Sequence, residues 1–127
     1  MSKFFFIMQH QPTAEQLAEA GKIGEVVQLA DKKLLGVPDS PTLERDWFVQ
    51  RAEEIELSLG GFSAGDTVQA MGQQQLAMAL NARGLRAGVT LVESVTERKA
   101  VETAQPDGSV KKESVFVFRG FRPVYEF

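Results

Sequence analysis

The chain has 127 residues, 43% of them hydrophobic and 24% charged, a composition typical of one folded domain and unlike that of a disordered chain. It has no cysteine and one histidine, which excludes disulfides, thiolate nucleophiles and zinc sites built from cysteines or several histidines. The net charge of −3 argues against general binding of duplex nucleic acid. No apolar run approaches the roughly 20 residues of a membrane span, so we expect a cytoplasmic protein.

The first part of the chain predicts a strand, a helix and a second strand. Residues 4–8 form a continuous apolar run, which is typical of a central strand covered on both faces. Residues 13–16 match a capping box and predict a short helix to about Ala20, because Gly21 follows. Residues 25–29 have the β-branched content of a second strand. Together these elements predict a βαβ unit.

The middle of the chain predicts a longer helix and a third strand. Ser40 suits a helix N-cap and Pro41 the first helical position, where the missing amide costs nothing. The helix continues to about Leu59, because apolar residues recur at three- and four-residue steps. Residues 66–71 then read as a strand. The apolar stripe consists of Leu43, Trp47, Phe48, Ile55 and Leu59.

The second half predicts a helix, a fourth strand and a hairpin. Residues 73–83 are strong helix formers, and Gly84 fits a left-handed C-terminal cap. Residues 89–95 read as a strand. Beyond it, residues 96–103 and 110–118 flank a Gln-Pro-Asp-Gly turn, which predicts an antiparallel hairpin. The whole sequence, 1–127, therefore predicts a single α/β domain: a small Rossmann-like, mostly parallel sheet flanked by helices, with a C-terminal β-hairpin extension.

The single histidine follows the first predicted strand directly. In open α/β sheets, ligands bind beyond the carboxyl ends of the parallel strands, where helix N-termini and their free amides gather. His10, with Gln9 and Gln11 beside it, is therefore placed to meet a ligand. The alternative is a histidine that lies in a surface loop or caps a helix.

A second candidate is the glycine turn that follows the third predicted strand. Gly72 lets the backbone approach a ligand closely, and the helix start at Gln73 and Gln74 offers free amides to a phosphate. Glutamine amides also carry the donor and acceptor needed to read an adenine edge. The alternative is simply a polar first helical turn. The segment is no Walker motif, because the Gly-Lys-Ser/Thr ending is missing.

Basic residues on the predicted hairpin form a third candidate. Arginine forks suit bidentate binding of phosphate. Glutamates interleave with the basic residues, so a solvated hairpin face is the alternative. The basic residues are Arg98, Lys99, Lys111, Lys112, Arg119 and Arg122, and the glutamates are Glu97, Glu102 and Glu113.

Several short segments of the chain together form a family pattern. Residues 8–16 contain a polar-histidine step and Thr-x-x-Gln, and further parts of the pattern lie in the centre of the chain at 65–68, 84–85 and 96–98. The pattern ends with residues 107–112, 115–116 and 121–122. In these segments the chain resembles small CRISPR-associated Csx-type accessory proteins. Where relatives have an acidic Gly-Asp-aromatic-Gly step after the third strand, this chain has Gly-Gln-Gln-Gln at 72–75.

Csx-type proteins are similar to CARF domains, Rossmann-like dimers that bind the cyclic oligoadenylate messengers of type III CRISPR systems. The resemblance implies a prokaryotic homodimer with its ligand, a cyclic oligoadenylate such as cyclic tetra-adenylate, at the two-fold interface. We also expect no cofactor, metal, membrane or long nucleic acid. The resemblance also implies a ring nuclease, in which a ribose 2′-oxygen attacks the adjacent phosphorus without a metal. His10 would then be the general acid or base, and Gln9, Gln11, Gly72, Gln73, Gln74, Arg98, Lys99 and Arg122 would bind the ligand.

Two other functions remain compatible with the sequence. The same pocket could bind the messenger without cleaving it, as a sponge or regulatory subunit. The protein could also be an interaction domain that docks a partner through exposed aromatic residues. Core or dimer packing is the alternative for those aromatics, which are Phe116, Phe118, Phe121, Tyr125 and Phe127.

Overall fold

Residues 2–127 are described by a computed structural model, in which strands and helices alternate until the last two strands pair as a hairpin. No helix in this part of the chain is long and apolar enough to cross a membrane. The elements, in chain order, are β1 (Lys3–Ile7), α1 (Ala14–Ile23), β2 (Glu25–Gln28), a 3₁₀ turn (Lys32–Leu35), α2 (Arg45–Ser58), β3 (Thr67–Ala70), α3 (Gln74–Ala87), β4 (Thr90–Ala104) and β5 (Val110–Pro123).

The five strands form one sheet in the order β2-β1-β3-β4-β5. The first three strand pairs are parallel, and β4 and β5 are antiparallel. This is the predicted mostly parallel α/β fold with a hairpin extension. Strand β2 pairs with one edge of β1, and β3 pairs with the other edge. The topological switch point, where such folds open a crevice, therefore lies between β1 and β3.

The apolar run of β1 is buried because helices cover both faces of the sheet. Phe5 and Ile7 face a core cluster that includes α2 and α3. Phe4, Phe6 and Met8 face the opposite cluster, to which α1 contributes. All five side chains are fully buried, as the continuous apolar pattern predicts. We call the second side of the sheet the α1 face.

Helix α1 has the predicted capping box but continues beyond its predicted end. The Thr13 hydroxyl accepts a hydrogen bond from the backbone amide of Gln16, and the Gln16 side-chain carbonyl accepts one from the backbone amide of Thr13. The helix passes through Gly21 and ends at Ile23, so the prediction of an end near Ala20 is wrong. A single glycine costs a helix only about 1 kcal/mol relative to alanine, which the continuing hydrogen bonds offset.

Helix α2 begins later than predicted, at Arg45. The Ser40 and Thr42 hydroxyls hydrogen-bond to each other over 3.0 Å. The Leu43 amide donates to the Ser40 carbonyl, which closes a separate turn before the helix. Ser40 and Pro41 therefore form a turn instead of the predicted helix start.

Helix α3 continues past Gly84, and the cap predicted there belongs to Gly88. Gly88 has the left-handed φ of 83° and ends the helix at Ala87. Gly84 instead faces β4: a Cβ at this position would lie 3.2 Å from a methyl carbon of Leu91. The prediction of a cap at Gly84 was wrong because this glycine provides close packing of helix on sheet.

Beyond Val95 the last two strands leave the sheet as a two-stranded ribbon, residues 96–118, which we call the arm. Strand β4 pairs with β3 only near its start, through Thr90 and Leu91. A bulge between Val95 and Thr96 marks the point of departure. The turn at the tip is the predicted one, and hydrogen bonds from the Ser109 hydroxyl and amide lower the pKa of Asp107.

Candidate functional site

A cavity of about 270 Å³ opens at the carboxyl ends of β1 and β3, the topological switch point of the sheet. We call it the edge cavity. Residues from the β1 loop, α1, β3 and β4 contribute to it, so it is assembled from four separate parts of the chain. The lining residues are His10, Gln16, Gln69, Ala70, Met71, Glu93, Ser94 and Thr96.

Three polar side chains at the edge cavity form one hydrogen-bonded network. The Gln16 amide nitrogen donates to the Ser94 hydroxyl over 3.1 Å, and this hydroxyl donates to the Gln69 carbonyl oxygen over 2.9 Å. Gln69 is 2% exposed and Gln16 7% exposed. Because an unpaired buried amide is costly, these bonds hold α1, β3 and β4 in fixed relative positions.

The network presents neutral donors and acceptors to the cavity. The remaining contact of the Gln69 amide nitrogen is with the Met71 sulfur at 3.3 Å, and a thioether is a weak acceptor. A ligand oxygen or ring nitrogen would be a better partner for this amide. The arrangement therefore suits the edge of a nucleobase, which combines donors and acceptors without net charge.

His10 lies in a short loop that is fastened at both ends. On one side, the Lys32 ammonium donates to the Met8 carbonyl over 2.6 Å, and the Gln9 amide donates to the Lys32 carbonyl over 3.3 Å. On the other side, Pro12 is buried. The imidazole itself is exposed at the edge cavity. Gln11 is also exposed.

The predicted glycine turn lies beside the edge cavity. Gly72 follows the lining residue Met71 and has a φ of 138°, which favours glycine. The Gln73 side chain accepts from the Leu76 amide over 2.9 Å, so it is the N-cap of α3. Gln73 and Gln74 are exposed, and the amides of the first helical turn other than that of Leu76 have no partner within the helix.

Most of the basic residues on the hairpin are paired with glutamates. Arg122 donates to Glu93 over 3.0 Å and Arg119 to Glu97 over 2.6 Å. These ion pairs are half exposed and contribute little stability. Lys111 and Lys112 pair similarly with Glu113 and Glu102. The interleaved glutamates thus neutralise three of the six basic residues, and Glu93 neutralises a fourth, which favours the solvated-face alternative for these four.

Arg98 and Lys99 differ from those four residues. The Arg98 guanidinium donates to the Ser114 hydroxyl over 2.9 Å. Lys99 pairs across the ribbon with Val115. Since neighbouring residues of a strand point to opposite faces, Arg98 and Lys99 lie on opposite faces of the arm.

The candidate aromatic residues divide into two groups. The Phe118 and Phe121 rings pack edge to face at 5.1 Å, and Phe121 packs against Phe4 of the core. Phe116, Tyr125 and Phe127 are exposed. Core packing therefore accounts for Phe118 and Phe121. It does not account for Phe116, Tyr125 and Phe127.

Gln16, Gln69 and Ser94 were missed as site residues by the sequence analysis. Gln69 does carry a signal, because a large polar residue inside a short covered strand requires a partner. Gln16 carries none, since the capping box fully explains its presence. Ser94 is small and common in strands, so only the fold shows that it joins the other two.

A second cavity, of about 200 Å³, lies between α2 and α3. Apolar side chains such as Phe48 and Met78 line it together with three arginines, of which Arg83 is paired with Glu56 over 2.7 Å. No group of three or more potential metal ligands occurs among residues 2–127. The edge cavity thus remains the place where neutral polar groups and an imidazole meet.

Comparison with known proteins gave a single finding. The model of the Uncharacterized protein MJ1673 family matches residues 2–122, almost the whole chain. Searches of curated proteins and of solved structures found no match.

Proposed function

We propose that this chain, which belongs to the uncharacterized MJ1673 family, is a ring nuclease that binds and linearises a cyclic oligoadenylate messenger of type III CRISPR defence in the prokaryotic cytoplasm. The observation that carries the proposal is the edge cavity, where a buried amide and hydroxyl network lies beside the one imidazole of the chain. The resemblance of the sequence to Csx-type proteins supplies the substrate.

One nucleotide of the messenger would occupy the edge cavity of one chain. Gln69 and Ser94 offer the donor and acceptor that an adenine edge requires. The cavity, at about 270 Å³, lies just below the 300–1,000 Å³ of pockets that hold a drug-sized ligand, so it is too small for a whole ring. Two chains facing each other across a two-fold axis would enclose a cyclic tetra-adenylate, whose own symmetry matches theirs.

Cleavage would use the substrate's own nucleophile. A ribose 2′-oxygen attacks the adjacent phosphorus, the bond to the 5′-oxygen breaks, and the products carry a 2′,3′-cyclic phosphate and a 5′-hydroxyl. His10 would take the proton from the 2′-hydroxyl or give one to the leaving 5′-oxygen. Arg98 and the amides at the start of α3 would stabilise charge on the phosphate. The protein's main contribution is to hold the 2′-oxygen in line with the leaving oxygen.

The decisive experiment incubates the protein with cyclic tri-, tetra- and hexa-adenylate in EDTA and resolves the products. We expect linear fragments that end in a 2′,3′-cyclic phosphate, from cyclic tetra-adenylate most rapidly. If the ligand is bound but recovered intact, the protein is a messenger sponge instead. The amides and hydroxyl of the network favour this second function, because they bind a ligand without transferring protons. A protein that binds no ring of any size would contradict the proposal.

Replacement of the imidazole tests its role as acid or base. We expect His10→Ala to slow single-turnover cleavage by about 10²- to 10⁴-fold and to leave affinity within a few-fold of the wild type. Lys22→Ala, in the last turn of α1 at the opposite edge of the sheet, is the control. Unchanged cleavage by the His10 variant would remove this assignment and leave catalysis to geometry alone.

A further inference from the structure

The arm continues directly from the edge cavity. Ser94 and Thr96, which line the cavity, are followed on β4 by residues that are exposed up to the tip of the hairpin. Strand β4 runs parallel to β3, so its continuation projects beyond the carboxyl edge of the sheet, where the cavity opens. Any ligand that extends out of the cavity along β4 would therefore meet the arm.

The two faces of the arm can be assigned from contacts at its base. The Ser94 hydroxyl bonds to Gln16 of α1, so the Ser94 side chain lies on the α1 face. Alternation along the strand places Thr96 and Arg98 on the same face. Their cross-strand partners are Phe118 and Phe116, respectively.

The position of Phe118 supports this assignment independently. The Phe118 ring packs against Phe121, which belongs to the core cluster on the α1 face. The bulge beside Gly120 lets Phe118 and Phe121 share that face although they are three residues apart. Phe116 precedes Phe118 by two residues on β5 and lies about 7 Å from it, towards the tip of the arm. Phe116 is therefore on the same face as Phe118.

Phe116 and Arg98 are a cross-strand pair with the chemistry of a nucleotide site. Phe116 is 72% exposed, although a large aromatic side chain normally gains from burial. The guanidinium beside it is bonded to a neutral hydroxyl and has no carboxylate partner among residues 2–127. The opposite face has Lys99 and Val115 at the adjacent pair and no aromatic ring.

We infer that Phe116 is a stacking platform for a second base of the ligand, whose phosphate Arg98 binds. Aromatic rings bind bases of single-stranded nucleic acids in this way, and a positive charge beside the ring holds the backbone. The inference rests on the proposed function: the first base lies in the edge cavity, and the next nucleotide extends along the arm. Each chain would then recognise two adjacent nucleotides of the ring.

The test measures affinity for cyclic tetra-adenylate by calorimetry. We expect Phe116→Ala to weaken binding about 5- to 150-fold, and Phe116→Tyr to restore it because the ring is retained. Val115→Ala, on the opposite face of the same strand, is the matched control and should bind like the wild type. Arg98→Ala should lower the slope of log affinity against log salt concentration by about 0.7, the value for one lost phosphate contact with a single strand.

A fluorescence experiment examines stacking itself. In a Trp47→Phe background, which removes the only native tryptophan, the Phe116→Trp variant should lose fluorescence when the ligand binds. The corresponding Val115→Trp variant should not. Quenching in both variants, or in neither, would contradict a stacking role for position 116.

The outcomes separate this inference from the function on which it rests. If the wild type binds no ring, the proposed function fails. If the wild type binds but Phe116→Ala binds equally well, the function stands and the inference fails. If Phe116→Ala converts a dimer into a monomer in sedimentation, Phe116 is a contact between two copies of the chain, which also overturns the inference.

Discussion

At the scale of single residues, the main lesson concerns glutamine. Gln16 completes the capping box of α1 with its carbonyl oxygen and reaches Ser94 with its amide nitrogen. A single side chain thus starts a helix and organises the edge cavity. An amide can do both because it carries a donor and an acceptor at the same time. A substitution here would affect the helix and the cavity together.

Ser94 offers a cleaner test of the network than Gln16. We expect Ser94→Ala to lower the free energy of unfolding by about 1–3 kcal/mol, because the buried Gln69 oxygen loses its donor. Chemical denaturation measures the change. Thr96→Ala, on the same face two residues farther along but exposed, should change stability by less than about 0.5 kcal/mol. Equal effects of the two variants would show that the hydrogen bonds of the network do not contribute to the free energy of unfolding.

At the scale of elements, glycines decide how closely helices and strands approach. Gly24 separates α1 from β2 in extended conformation, with a φ of −171°. A Cβ there would lie 2.8 Å from the Ser2 carbonyl oxygen, a backbone atom that cannot move independently. Gly21, inside the same helix, has no atom within 4 Å of its ideal Cβ position. Two glycines three residues apart therefore have opposite structural roles.

This contrast predicts opposite effects of the same substitution. Gly21→Ala should raise the free energy of unfolding by about 0.5–1 kcal/mol, because alanine is the better helix former and the site has room. Gly24→Ala should lower it by about 1–3 kcal/mol through overpacking against the first strand. Thermal and chemical denaturation of both variants check this. A destabilised Gly21 variant together with an unaffected Gly24 variant would contradict the geometry described for this connection.

At the scale of the whole molecule, the arm is the element that packs least against the rest of the protein. An isolated two-stranded hairpin is only marginally stable in water, and residues 98–104 and 106–116 of the arm are exposed on both faces. A ligand or a second chain that covers part of it would stabilise it. This agrees with the proposed dimer, in which the carboxyl edges of two sheets face each other around one ring.

The proposed assembly predicts a definite stoichiometry. We expect one cyclic tetra-adenylate per two chains, because a single edge cavity is too small for the ring, and a dimer should form or become more stable when the ligand is added. Calorimetry gives the stoichiometry, and sedimentation gives the mass of the complex. A complex of one ring with one chain that remains a monomer would contradict shared binding at a two-fold axis.

The sequence alone determined the fold class and the order of the helices and strands, except that the predicted fourth strand and the first strand of the predicted hairpin form one continuous strand, β4. The covered first strand, the capping box and the Pro-Asp-Gly turn are local signals, because the residues that produce them are neighbours in the chain. It also placed His10 at the carboxyl end of the first strand, where the structure has it. Helix ends were less predictable: Gly84 looks like a cap in sequence, but its contact with Leu91 depends on a strand that comes later in the chain.

Only the tertiary structure decided the composition of the candidate site. Gln16, Gln69 and Ser94 come from three elements, and the two outer ones are 78 residues apart in the chain. The register and the bulge of the hairpin also decided that Arg98 and Phe116 share the face of the cavity while Lys99 does not. Such relations depend on strand pairing between distant segments, and no local pattern of residues specifies them.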